Sequence, residues 1–332
     1  MTKPVPAEWT QHRAMWVGFP SHADLWQEDL NQAQAEVAAL TRALATTGGE
    51  TVRLLIHGDD ALSAARNLLG DLPNVELVPG QFGDIWLRDT GPIVVGDRAI
   101  AFRFNGWGGK YVLPHDDTVS RQIADHARLD LQANAFVLEG GALDHDGEGT
   151  ILTTRQCLLN PNRNAGWSQA DAEAALVASL GAAKVLWLGD GLENDHTDGH
   201  VDNLARFVAP GVVACPVAFG ADDPNAKAYE ATARLLADMT DAAGRALKVV
   251  RIPSPGRIED EDGEVIPASH MNFLIANRAV IVPTYARASG QAAVEALGAL
   301  FPDREVVGLP STAILTGGGS FHCISQQEPA EP

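Results

Sequence analysis

Few cysteines, few basic residues and no long apolar run are the first features of this sequence, and each closes off a class of protein. The three cysteines, Cys157, Cys215 and Cys323, stand far apart and none belongs to a C-x-x-C pair. Neither a disulfide framework nor a thiolate zinc or redox motif is therefore expected. Lys and Arg number 24 against 43 Asp and Glu, a formal charge of -19. That charge repels phosphate backbones and argues against a nucleic-acid partner. The same field would concentrate small cations, although solubility alone accounts for it equally well. No stretch approaches the roughly 20 apolar residues that a bilayer span requires, and Met1 to Gln11 carry no basic flank followed by an apolar run. A cytoplasmic protein without membrane contact is expected.

What the chain does have is a repeating order of elements. With 45% hydrophobic residues in 332 it can close a large core unaided. Alternating and β-branched runs predict strands at Met15 to Phe19, Val52 to Ile56, Val75 to Val78 and Ile85 to Val95. A hairpin from Trp86 to Asn105 then precedes a helix near Asp117 to Leu129, and a second, Phe136 to Thr153, precedes the helix Gln169 to Leu180 and strand Val185 to Leu188. The order recurs in Val201 to Val217, Asn225 to Ala243 and Val249 to Ile252, and again in Phe273 to Val282, Gly290 to Leu300 and Val306 to Leu309. A last strand is predicted over Ala313 to Ile324. Repeats of roughly 50 to 70 residues are too long for a common solenoid and fit a hairpin-helix-strand unit used about five times. The reading is one α/β catalytic domain over 1–332; an open α/β sheet with ordinary connections would produce a similar alternation.

Polar residues gather where these units begin: Trp86-Leu-Arg-Asp89, Glu139-Gly-Gly141, Gly199-His-Val-Asp202, Met271-Asn272 and Gly317-Gly-Gly-Ser-Phe-His-Cys323. Equivalent strand starts in a ring would face one centre, bringing a thiol, an imidazole and three carboxylates together. Cys323 follows three glycines, which let a substrate approach the backbone closely, and is read as a nucleophile. Cys157 and Cys215 sit in apolar surroundings and are read as small buried hydrophobes within hairpin strands. In an extended segment His200 and Asp202 would share a face. Trp86 and Trp107 could stack on a planar cation. Two rival readings accompany these: a metal site built on Asp190, Glu193, Asp195, His196, Asp198, His200 and Asp202, and a plain surface ion pair between Arg88 and Asp89. The run Asp144 to Gly149 lacks the remaining EF-hand positions and reads as a hairpin turn.

Taken in order, Trp86-Leu-Arg-Asp-Thr-Gly-Pro92, Asn105-Gly-Trp-Gly-Gly109, Glu139-Gly-Gly141, Cys157-Leu-Leu-Asn-Pro-Asn-Arg-Asn164, Gly199-His-Val-Asp202 and Gly317 to Gln327 resemble the agmatine deiminase and bacterial-type peptidylarginine deiminase family. The resemblance runs from about Trp9 to Pro329. It implies a pentein, an α/β propeller of five pseudo-repeated units. By position it implies Cys323 as nucleophile, His200 as general acid/base, Asp89 and Asp202 as the guanidinium-binding carboxylates and Glu139 as support for the histidine. Asp198 stands where many agmatine deiminases have Asn, and the paired arginines of the peptidylarginine branch are absent after Asn105. Polyamine biosynthesis, through a putrescine precursor, is the setting that the resemblance implies.

The chemistry follows from the residue types. A guanidinium ion is planar, permanently charged and resonance-stabilised, so it must be neutralised and oriented before a nucleophile can attack its carbon, and two carboxylates can do both. Thiolate attack, loss of ammonia and hydrolysis of a covalent thiouronium would yield a ureido product. No step calls for a metal or any other cofactor. The expected partner is a small cationic guanidine, agmatine first; arginine, peptidyl-arginine, an amidino-transfer reaction and a metal-dependent hydrolase are the alternatives. Lys110 could receive a substrate carboxylate or form a solvated loop tip. Homo-oligomer formation is left open.

Overall fold

A computed structural model describes residues 3–330. Its strands form five separate sheets, one of four strands and four of three. In each three-stranded sheet a hairpin is followed by a helix and then by a strand parallel to the hairpin's second arm. The first of these sheets pairs Ile93–Val95 with Arg98–Arg103 antiparallel, crosses through the helix Val119–Ala127 and adds Asp130–Val137 in parallel. The same order gives Leu143–His145, Thr150–Thr154, helix Gln169–Leu180 and Lys184–Leu188. It recurs as Arg206–Ala209, Val212–Val217, helix Ala226–Ala237 and Lys248–Pro253, and as Leu274–Ile275, Ala279–Thr284, helix Arg287–Gly298 and Glu305–Pro310. The ring closes through both ends of the chain: Ser325–Pro329 runs antiparallel to His12–Gly18, which pairs in parallel with Val52–Ile56 across the helix Leu30–Thr46. A further helix, Asp59–Leu69, returns Val75–Pro79 as a fourth strand of this sheet. This is the five-unit pentein propeller.

Local chemistry explains the element that the sequence defines most sharply. Ser168 and Asp171 form a reciprocal capping box at the start of Gln169–Leu180, and Gly181, at φ 67°, ends the helix in the left-handed conformation. Other boundaries depart from expectation. Ile85 to Val95 is not one strand, because Leu87–Thr90 forms a helical turn before Ile93–Val95. Asp130–Val137 carries Asp130, Gln132 and Asn134, and this half-exposed strand escapes an apolar pattern. Ala313 to Ile324 is not a strand: Thr312–Thr316 is helical, its first backbone N–H groups donating to the Glu36 carboxylate from a helix 276 residues away in sequence. Cys157 lies on the helical turn Arg155–Leu158, capped by Thr154, instead of on a strand.

Each hairpin is entered through a short helical turn: Leu87–Thr90, Gly140–Ala142, Val201–Asn203 and His270–Asn272 precede four of them, and the turn Phe321 to Ile324 precedes the closing strand. Neighbouring turns are tied around the ring. Gly141 N donates to Asp89 Oδ1, Ser269 Oγ to Asn203 O, His322 N to Asn272 O, and Arg88 N to Cys323 O. Among the described residues, no helix is long and apolar enough to cross a membrane.

Candidate active site

Three of the entry turns meet at Gly141: its own, that of Asp89 and that of Asp202. A Cβ added there would stand 2.6 Å from His200 Nδ1, 2.9 Å from Asp89 Oδ1 and 3.2 Å from Asp202 Oδ2. This glycine is small because three polar side chains from two neighbouring turns need the space. His200 and Asp202 reach this centre from the turn Val201–Asn203, not from a shared face of an extended strand. Cys323 Sγ lies 3.7 Å from Asp202 Oδ2 and accepts a 3.0 Å hydrogen bond from Asn272 Nδ2. The sequence pattern had brought Asn272 to the ring without assigning it a task.

Above the thiol opens a cavity of about 400 Å³, lined by Asp89, Cys323, Trp86, Trp107, Tyr111 and His196 together with Leu25 to Asp29. Trp86 donates its indole N–H to Asp84 at 2.6 Å, and Trp107 donates to Asp89 Oδ2 at 3.0 Å. Trp107 is therefore a fixed wall. The glycines before Cys323 make room for these rings. A Cβ on Gly319 would meet Trp86 at 2.5 Å and one on Gly317 would meet Trp26 and Trp86 at 2.8 Å, while Gly318 alone takes a positive φ, 100°.

Arg88 does not pair with Asp89. It is buried, with Nε donating to His322 O and Nη1 to Gln327 Oε1, which leaves Asp89 free for the cavity. Lys110 does not line the cavity; it is exposed, and its Nζ donates to Asp198 Oδ1 at 2.6 Å and to His196 O. Glu139 lies beside His200, but its hydrogen bond goes to Arg163 Nε at 2.6 Å. Arg163, unremarked within the Asn-Pro-Asn-Arg-Asn run, also reaches Asp198 and Thr197 O, tying the His200 loop to the Glu139 turn.

Electrostatics follow from burial without solvent. The Cys323 thiol is pushed well above its ordinary pKa by burial and by facing Asp202 and Asp89. Asp89 is also pushed up, by burial first and then by Asp202 and Glu139. Asp202 goes the other way: burial would raise it, but the hydrogen bond and charge of His322 prevail and lower it. Burial depresses His200 to about 3 despite the attraction of Asp202. Both His200 ring nitrogens are buried without a hydrogen-bond partner. These shifts favour a neutral imidazole and a protonated thiol, and set the two carboxylates against each other.

The acidic run from Asp190 to Asp202 does not assemble a metal site. Asp195 accepts from Thr197, Asp198 pairs with Lys110 and Arg163, and Asp202 faces His322. Among the described residues, the one grouping of metal-type ligand atoms is Glu139, Cys157 and His200, within 4.8 Å of one another. Arg163 already neutralises Glu139, and burial holds the Cys157 thiol well above its ordinary pKa, so this grouping is poorly suited to a cation.

The profile of the Porphyromonas-type peptidyl-arginine deiminase family matches residues 4–329. The agmatine deiminase of Stutzerimonas stutzeri is 39% identical over 98% of this chain and 95% of its own length. The structure of an agmatine deiminase of Enterococcus faecalis superposes with a TM-score of 0.92 at 33% identity, covering 98% of this chain and 96% of that one. An amidinotransferase of Microseira wollei shares the fold at a TM-score of 0.59 and 11% identity, covering 98% and 97% of the two chains.

Proposed function

Because this chain belongs to the Porphyromonas-type peptidyl-arginine deiminase family, we propose that it is a cytoplasmic agmatine deiminase, converting agmatine and water to N-carbamoylputrescine and ammonia. The residues 1–332 are taken as a single catalytic domain, and the product as a putrescine precursor in polyamine synthesis. One observation carries the reading: Asp89, Asp202 and His200 meet at Gly141, and Asp89 and Cys323 both line the cavity.

In this reading the guanidinium enters between Trp86 and Trp107 and its N–H edges meet Asp89 and Asp202. Its positive charge relieves the repulsion between those carboxylates and makes ionisation of the facing thiol easier. Neutral His200, with unpartnered ring nitrogens, takes the thiol proton as Cys323 Sγ bonds to the guanidinium carbon. The carbon–nitrogen bond to the leaving amino group then breaks, and His200 returns that proton so that ammonia departs. Water attacks the thiouronium carbon, His200 removes its proton, and the carbon–sulfur bond breaks to release the ureido product. An amidinotransferase would pass the same carbon to an amine.

The test is ammonia release from agmatine, arginine, peptidyl-arginine and simpler guanidines without an added amine. Release from agmatine above the others is expected. Turnover that requires an amine acceptor, or no ammonia from any guanidine, would overturn the reading.

A further inference from the structure

His322 stands between two carboxylates from opposite ends of the sequence. Its ring is buried, with Nδ1 2.8 Å from Asp202 Oδ2 and Nε2 3.4 Å from Glu8 Oε2. Its backbone is fixed as well: the N–H donates to Asn272 Oδ1 at 2.9 Å, and the carbonyl accepts from Arg88 Nε at 3.3 Å. Glu8 is a firm anchor. Its Oε1 accepts the Ile275 N–H, and its other oxygen is bound by Arg206, which is buried, donates to Asp144 and lies over the Phe273 ring. Donation from both nitrogens would make this ring an imidazolium, with one carboxylate on the substrate side and one on the side of the anchor.

This arrangement accounts for an asymmetry in the substrate-facing pair. Asp89 and Asp202 are both buried, yet only Asp202 is within hydrogen-bond distance of an imidazole, His200 Nδ1 standing 3.8 Å from Asp89 Oδ1. We propose that His322 is a positioning residue of the guanidinium clamp: gripped by Glu8, it holds Asp202 ionised and turned towards the substrate. The proposal rests on the deiminase reading, which ammonia release by the unaltered protein tests separately. The charged groups around His322 are Glu8 from the N-terminal segment, Arg88 from the turn before the first hairpin, Asp144 and His145 from one inner strand and Arg206 from another, with Asp202 and Cys323 on the catalytic side. The opposing pulls on Asp202 are burial, which raises it, and His322, which lowers it.

His322→Asn keeps a donor near the position of Nδ1 and removes the charge; His322→Gln places its amide nearer Glu8 and loses the Asp202 contact. With agmatine, kcat/KM should fall about tenfold in His322→Asn and about a hundredfold or more in His322→Gln. The acid limb of the pH profile should move to higher pH and steepen from one proton towards two as Asp202 joins Asp89 in titrating. A merely structural role would lower thermal stability and activity in both variants while leaving the shape and midpoint of the profile as in the parent, and that outcome overturns the proposal. Should neither variant fold, Glu8→Gln carries the test by loosening the anchor: a smaller upward movement of the same limb supports the proposal, and an unchanged limb overturns it.

Discussion

Asn272 holds Cys323 from two sides: its Oδ1 accepts the Cys323 backbone N–H at 3.1 Å, and its Nδ2 donates to the Cys323 sulfur at 3.0 Å. A donor facing sulfur favours the thiolate, so Asn272→Ala should raise the thiol further above its already elevated pKa. The expected result is an upward movement of the midpoint for alkylation by iodoacetamide and a loss of roughly tenfold or more in kcat. An unmoved alkylation midpoint would show that this amide does not tune the sulfur.

Cys323→Ser leaves the surrounding hydrogen bonds in place but substitutes a hydroxyl that is a far weaker nucleophile at neutral pH. Turnover should fall by about a thousandfold or more with the fold intact. Mass spectrometry of the parent, quenched during turnover, should find the covalent adduct on Cys323. Activity retained within about tenfold would place the nucleophile elsewhere.

Asp89 is raised by burial and by Asp202, whereas Asp202 is lowered. In the proposed clamp both must be ionised to grip a cation, so as pH falls Asp89 should protonate first and set the acid limb of kcat/KM. Asp89→Asn should cut kcat/KM by about a hundredfold or more and move the residual limb to lower pH, where Asp202 alone controls it. A crippled variant whose limb stays in place would contradict this ordering.

Substrate choice turns on the far end of the cavity. Glu28, Asp29 and Asp84 line it, and no Lys or Arg does so among the described residues. Lys110 is held by Asp198, and Arg88 is buried on the other side of the catalytic turn. The α-carboxylate of free arginine would enter without a cationic partner, at a cost of several kcal/mol. Steady-state kinetics should therefore give agmatine a kcat/KM higher than that of arginine by on the order of a hundredfold. Equal use of arginine would sink the agmatine assignment and leave the deiminase chemistry standing.

Asp84, which lines the cavity, lies against Asp116, and each is raised to about 6, by burial first. A carboxyl whose folded pKa exceeds its unfolded value favours the folded state when protonated. That contribution is complete below about pH 4 and is lost as pH rises through about 6. Asp116→Asn can still accept the Gly83 and Asp84 N–H groups through its amide oxygen. It should therefore be more stable than the parent at pH 7.5, by on the order of 2 kcal/mol, with little or no gain at pH 4. Thermal melts at the two pH values check the sign, and an equal change at both would remove ionisation as the cause.

The recurrence of hairpin, helix and strand was legible because apolar periodicity is local, and the Ser168 cap and Gly181 stop mark one helix to the residue. The entry turns were not, because a four-residue helix such as Leu87–Thr90 is too short for a period to register. Nor was the helix at Thr312, whose N-terminal groups are satisfied by a carboxylate from Leu30–Thr46. Asp89, Asp202, His200 and Cys323 could be picked out by residue type and by their place at the start of repeats. Their supports lay further from view. Arg163 and Glu8 act through pairs separated by 24 and 198 residues, and nothing local distinguishes either from a surface charge.

The strand Ser325–Pro329 completes the sheet begun by His12–Gly18, and Cys323 is carried on the turn immediately before it. During synthesis, Asp89, Asp202, His200 and both cavity-lining tryptophans therefore leave the ribosome well before Cys323. The nascent polypeptide can fold its intermediate hairpin units before Cys323 has been added, and the N-terminal strand must wait with an unpaired edge until the last residues of the sheet emerge from the exit tunnel. Ring closure and the arrival of the thiol are thus one event in time. With the proposed nucleophile on Cys323, a ribosome-stalled chain ending before residue 323 would be chemically silent, however much of its propeller had already formed.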